Sequence, residues 1–189
     1  MDYKKIFHIA SLLISSPAKA WEEIRAQGRG DVTFNYVYPL IGLAALSVFI
    51  GALIDRGWDG PDGYQYAMAR CCTVVVTYFG GFFLSAYIIN AICKRFYNMA
   101  DDMPLCYKLA GYSLTVPMLL QVVTGLLPDF YIIAVALQFY IIYIVWAGSN
   151  VLMQVQENNR LSFTIVVSVI LMVCPEVLGR LFDVLEASM

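Results

Sequence analysis

The chain has little charge and almost no histidine. Asp, Glu, Lys and Arg make up 14% of its 189 residues, and His8 is the only histidine. An average soluble domain carries about 25% charged residues, so this composition is too poor in charge for an ordinary solvated surface. One histidine and five cysteines without a C-x-x-C pair leave no clustered ligand set for zinc. Cys71, Cys72, Cys93, Cys106 and Cys174 read as small buried apolar side chains. A bridge from Cys174 to one of the adjacent pair is the alternative. The chain also has no G-x-S-x-G, no H-E-x-x-H and no Walker loop, which removes the best-marked hydrolase, metalloprotease and nucleotide sites. No cofactor and no metal site are expected. Nor is there a basic, aromatic-interleaved patch for nucleic acid.

What the chain does have is apolar length. Apolar residues form 60% of it and the mean hydropathy is +0.70. Five long apolar runs cover roughly Tyr36–Ile54, Ala67–Cys93, Leu105–Leu127, Phe130–Gly148 and Leu161–Leu181. A hydrocarbon core of ~30 Å needs ~20 apolar residues of helix. The expected fold is all-α, a polytopic five-transmembrane-helix bundle preceded by short N-terminal amphipathic helices. Residues 1–30 read as a cytoplasmic interfacial segment and residues 31–189 as the membrane domain.

The basic residues set the orientation. With a cytoplasmic N-terminus, Lys4, Lys5, Lys19, Arg25, Arg29, Lys94, Arg95, Lys108 and Arg160 fall on the cytoplasmic side, and only Arg56, Arg70 and Arg180 fall opposite. Cytoplasmic loops are enriched in Lys and Arg, so the expectation is N-in, C-out.

The N-terminal stretch has two readings. Lys4-Lys5, the apolar run to Ile14 and Ala18-Lys19-Ala20 resemble a signal peptide with its cleavage site. The run is short, however, and His8, Ser11 and Ser15 interrupt it. Ser16 suits an N-cap, Pro17 a first turn, and Gly28 a helix end. Two amphipathic helices on the cytoplasmic leaflet fit better. Ile6, Phe7, Leu13 and Trp21 then dip into the interface while Lys4, Lys5 and Lys19 face head groups, with Lys4, Lys5, Pro17 and Trp21 as the interfacial anchor.

The connections are short. Asp55–Tyr66 is rich in Gly and Pro and reads as a turn. Its Asp55, Asp59 and Asp62 make only a weak case for a cation. Small residues recur at helical spacing inside the spans: Thr77, Gly81 and Ser85; Ala44, Ser47 and Gly51; Gly111 and Thr115. Such faces let backbones approach closely. Packing within the bundle is the simpler use for them, and a homodimer face the sharper one.

Polar residues at membrane depth are few. Gln121 lies seven residues before Pro128 and Gln138 ten after it, or roughly 10–15 Å below that turn at 1.5 Å per residue. The two are expected to face inward and hydrogen-bond across the helix pair. Arg70, Lys108, Glu176 and Arg180 lie toward span ends, where the basic ones can snorkel. Pro175 should kink or end the fifth helix, and Pro117 should kink the third. A crevice beside that kink, with Gly111, Tyr112, Pro117, Gln121 and Gln138 around it, is the candidate binding or packing site.

Several short patterns occur in a telling order. They are Ser16-Pro17-x-x-x-Trp21, Tyr38-Pro39, Gly111-Tyr112 with Pro117, Leu127-Pro128, and Tyr143 with Gly148 and Leu152-Met153. Together they resemble the Yip-domain (Ypt/Rab-interacting protein) family over most of the chain, in the form of a prokaryotic-type member. The resemblance implies a five-helix bundle with a cytoplasmic N-terminus. Eukaryotic relatives interact with Rab-type GTPases and carry a longer polar N-terminal region that this chain does not match, so fold and topology carry over and the GTPase does not.

The resulting expectation is a non-enzymatic integral membrane protein, an organiser or adaptor in a bacterial cytoplasmic membrane. Its partners are the lipid bilayer, a membrane or cytoplasmic protein, or a second copy of itself. A small permease or channel is the alternative; the lack of mid-depth charge and of paired broken helices weighs against it. A reporter fused after Met189 is expected to behave as extracytoplasmic, and one placed within Gln154–Arg160 as cytoplasmic. A cytoplasmic C-terminus contradicts the N-in, five-span reading.

Overall fold

The computed structural model describes residues 3–28, 32–56 and 60–188. Arg29, Gly57, Trp58 and Asp59 lie outside the described residues, and with Asp59 so does the three-aspartate arrangement. Among the described residues there are helices and turns and no strand. Five stretches are long and apolar enough to cross a membrane: Thr33–Asp55, Pro61–Phe96, Met103–Leu126, Pro128–Val151 and Glu157–Val184.

The chain begins with a helical hairpin, α1 (Tyr3–Ser15) and α2 (Pro17–Ala26). Pro17 starts α2, where its fixed φ suits the first turn and its missing N–H costs nothing. Ser16 occupies the N-cap position, but its hydroxyl makes no cap bond. Gly28 follows the helix at φ 65°, the left-handed conformation that commonly closes a helix and that glycine adopts without strain.

The first span is a π-helical turn, Thr33–Val37, running into α3 (Tyr38–Arg56). The second is one long helix, α4 (Pro61–Phe96). It starts six residues before the expected Ala67, because Pro61 opens a helix instead of belonging to a loop. The third span is two helices, α5 (Met103–Ser113) and α6 (Thr115–Leu126), and a 3₁₀ turn, Pro128–Phe130, leads into the fourth. The fourth is also divided, into α7 (Tyr131–Gln138) and α8 (Tyr140–Val151). The fifth, α9 (Glu157–Ser188), continues past Pro175 and does not end there.

Close contacts at glycine assemble these helices. A Cβ added to Gly51 of α3 would collide with the Gly125 carbonyl of α6. A Cβ on Gly81 of α4 would lie 2.8 Å from the Pro175 ring and 3.0 Å from its Cα. Gly179 faces Thr77 in the same way, at 3.3 Å. The Thr77–Gly81 stripe is thus spent on packing α4 against α9 within the chain. α4 packs on α3, α5 and α9, while α7 packs mainly on α6 and its own turn, with no buried residue.

One face of the hairpin packs on the bundle. Ile6, Leu13 and Trp21 are buried in the protein, Pro17 with them, whereas Phe7, Lys4 and Lys5 are exposed. The Trp21 indole N–H donates to the Ile144 carbonyl at 2.9 Å, and Arg25 donates to the Val151 carbonyl at 3.2 Å. At the hairpin tip, Tyr140 donates to the Ile14 carbonyl at 2.8 Å. α2 therefore runs beside α8, and Trp21 anchors it to the bundle and not to head groups. The ring fits because position 148 is glycine: a Cβ there would sit 2.8 Å from the indole.

Trp21→Ala should lower stability in mild detergent by about 3–5 kcal/mol, the usual loss for emptying a large aromatic site. Phe7→Ala, at an exposed position, should change it little. The fraction remaining monodisperse after stepwise heating measures both; equal losses contradict the docked hairpin.

Candidate functional site

The residues singled out from the sequence separate into two places. Gly111 and Tyr112 lie at the end of the bundle that carries the hairpin. Tyr112 meets the edge of Trp21, with ring centroids 6.1 Å apart, and the Tyr36 ring at 4.5 Å. The Tyr36 hydroxyl pairs with that of Thr115 at 2.8 Å. A Cβ on Gly111 would be 2.8 Å from Val37 and 3.3 Å from Phe82. These residues therefore dock the hairpin and the π-helical turn onto α5. Lys108 is on the same side. It is buried, not snorkelled, and donates to the Gly28 carbonyl beyond the end of α2, where a cation is favoured. Nearby, outside the spans, the Asn90 amide and the Lys94 ammonium hold the Asp101 carboxyl below its ordinary pKa.

Pro117, Gln121 and Gln138 do come together, at the opposite end. They line a groove of about 320 Å³ between α4, α6, α7 and α9. A second cavity of about 520 Å³ adjoins it toward α3, sharing Arg70, Gln121 and Tyr131. Chain order gives the groove a gradient of depth. Arg70, Tyr131, Arg180 and Asp183 stand at its mouth, the two glutamines and Val74 lie below, and Tyr78, Leu171, Met172 and Glu176 are deeper. Arg70 meets Asp183 at 3.7 Å and Arg180 meets Glu176 at 2.9 Å, all with well-exposed side chains. The Arg180–Glu176 pair follows from its i, i+4 spacing. The Arg70–Asp183 pair joins residues more than a hundred positions apart and left no local signal.

The glutamines do not bond to each other. Neither carboxamide has a hydrogen-bond partner among the described residues. Each brings two donors and an acceptor to membrane depth, where an unsatisfied polar group is costly. The groove is therefore a place for water or a polar ligand.

The third span is interrupted three residues before Pro117, with Leu114 at φ −76°, ψ −2° between α5 and α6. The ladder resumes at once, Met118 donating to Leu114 at 3.0 Å. Pro117 has no N–H to donate to the Ser113 carbonyl; the Thr115 hydroxyl pairs with Tyr36, and Ser113 Oγ has no partner among the described residues. The Pro117 carbonyl accepts from the Tyr78 hydroxyl at 3.1 Å. The break at Phe139 in the fourth span has no proline and was not foreseen from the sequence.

The family model for the Yip1 domain matches residues 11–178. The chain belongs to the Yip1-domain family. The matched stretch begins inside α1 and includes all of α2. No curated protein and no solved structure matches.

With the native cysteines replaced by alanine, Gln121→Cys and Gln138→Cys should react with a water-soluble maleimide. Leu137→Cys, adjacent but exposed on the lipid side, should stay unlabelled. Equal labelling at 137 and 138 contradicts a hydrated groove.

Proposed function

We propose that this Yip1-family membrane protein is a non-enzymatic organiser or adaptor that acts by binding lipid or a protein partner. Its N-terminus lies in the cytoplasm and its C-terminus outside, in a bacterial cytoplasmic membrane. The Yip1 family is not known for enzymatic activity, and the five apolar spans account for most of the chain.

One observation carries the reading: the groove is blind. Below its floor, Leu114, Met118, Ile141 and Val167 are fully buried, and the aromatic cluster of Trp21, Tyr36 and Tyr112 follows. That is the shape of a binding cleft. The hairpin adds a second surface at the other end. Its inner face is committed to the bundle, and its outer face shows Lys4, Lys5, Lys19 and Glu22. A mixed-charge face of this kind suits a protein partner or head groups. The nine-to-three division of basic residues supports the orientation.

The permease reading has one observation in its favour, the paired interruptions at Leu114 and Phe139. In transporters such breaks expose half-helix ends at a substrate site. Here each break is a single residue, with an i→i−4 bond retained across Leu114, and the packed floor lies below. Purified protein in proteoliposomes should therefore pass ions and small polar solutes no faster than protein-free vesicles. A saturable, protein-dependent flux would install the permease reading instead.

A further inference from the structure

We infer that the groove holds the headgroup of an aminophospholipid, one carrying both a phosphate and a primary ammonium, from the adjoining leaflet. The inference deepens the binding reading above and rests on it.

Charge balance comes first. The groove offers two guanidinium groups, Arg70 and Arg180, and two carboxylates, Asp183 at its mouth and Glu176 about two helical turns deeper on α9. A free anion meets as much repulsion there as attraction. A zwitterion matches both signs, its phosphate at the guanidinium forks and its ammonium donating to the carboxylates. The existing pairs do not resist this exchange. Arg70–Asp183 spans 3.7 Å with side chains 45% and 54% exposed, and Arg180–Glu176 is more exposed still. Such exposed pairs contribute little. A primary ammonium has three N–H donors for the carboxylates, whereas a quaternary ammonium has none.

The unpartnered amides come second. Gln121 and Gln138 lie roughly 10–15 Å below the turn at Pro128, beneath the charged mouth. Their N–H groups are placed for the ester carbonyls of a lipid whose phosphate sits above. Leu171 and Met172, in the deep part of the lining, are apolar and can meet the start of an acyl chain.

The third observation is the lateral opening. α7 packs mainly on α6 and its own turn, has no buried residue, and leaves Tyr131 66% exposed at the mouth. The groove thus lies beside a helix that faces lipid along its length, so acyl chains can leave it into the bilayer.

The test uses the full chain in nanodiscs containing equal phosphatidylcholine, phosphatidylethanolamine and phosphatidylglycerol, transferred to mild detergent, with retained lipid read by native mass spectrometry. Phosphatidylethanolamine should be retained over the other two. Arg70→Gln with Arg180→Gln should lower that retention at least about tenfold, as expected for loss of a charge-assisted bond. Gln121→Leu, which keeps every charge, should also lower it and serves if the double variant does not fold. Soluble glycerophosphoethanolamine should not displace the lipid; if it does, the ligand is a free solute and the lipid assignment falls. Preference for phosphatidylglycerol, equal retention of all three, or retention unchanged in the folded variants overturns the inference. None of these results touches the adaptor reading, which fails only on protein-dependent solute flux.

Discussion

Helices in a bilayer gain little by burying apolar surface against each other, because lipid tails are equally apolar. Association depends on how closely backbones can approach. In this protein the approach is made at glycine. Gly51 against Gly125 brings α3 onto α6, and Gly81 against Pro175 brings α4 onto α9. α7, Tyr131–Gln138, contains no glycine. It has no equivalent point of close approach and packs mainly on α6 and its own turn. The groove follows from that difference. It is the space left where four spans are drawn together by small residues and half of the remaining one is not.

The same constraint explains the hairpin. Gly148 leaves room for the Trp21 ring, and Gly111 leaves room for the turn that carries Tyr36 and Val37. Directional contacts then fix what the gaps admit: Trp21 to the Ile144 carbonyl, Tyr36 to Thr115, and Lys108 to the Gly28 carbonyl. One end of the bundle is thereby sealed by aromatic rings while the other stays open and polar. That asymmetry underlies a binding role better than a conducting one.

Much of this was legible in the sequence, and the misses have physical causes. The five spans are readable because each is an apolar run of bilayer length, and Pro17 and Gly28 mark the limits of α2 through their backbone requirements. The family patterns around Trp21, Gly111, Tyr112 and Gly148 are readable as patterns. Their meeting in one cluster is not, because an aromatic residue flanking an apolar helix suits lipid and protein equally well. Pro61 misled because proline ends loops as well as filling them. Pro175 does not end α9, and its packing against Gly81, ninety-four positions earlier, leaves no local signal. Gln121 and Gln138 do line one groove, but their lack of partners reflects the spacing of α7 from its neighbours, which no local pattern encodes. The charges at the mouth come from α4 and α9 and are assembled only by the packing of those helices.

The most direct measurement is a spin-label scan along residues 131–138 in nanodiscs, comparing relaxation by a water-soluble nickel chelate with relaxation by oxygen. Tyr131 and Gln138, seven apart and on one helical face, both line the groove. Nickel accessibility should peak at these two positions and oxygen accessibility at Ile132, Ile133 and Leu137, which are exposed on the other side. A profile dominated by oxygen at every position contradicts a polar groove beside α7. A profile low for both reagents at 131 and 138 means that α7 packs tightly against α9 and that no groove exists.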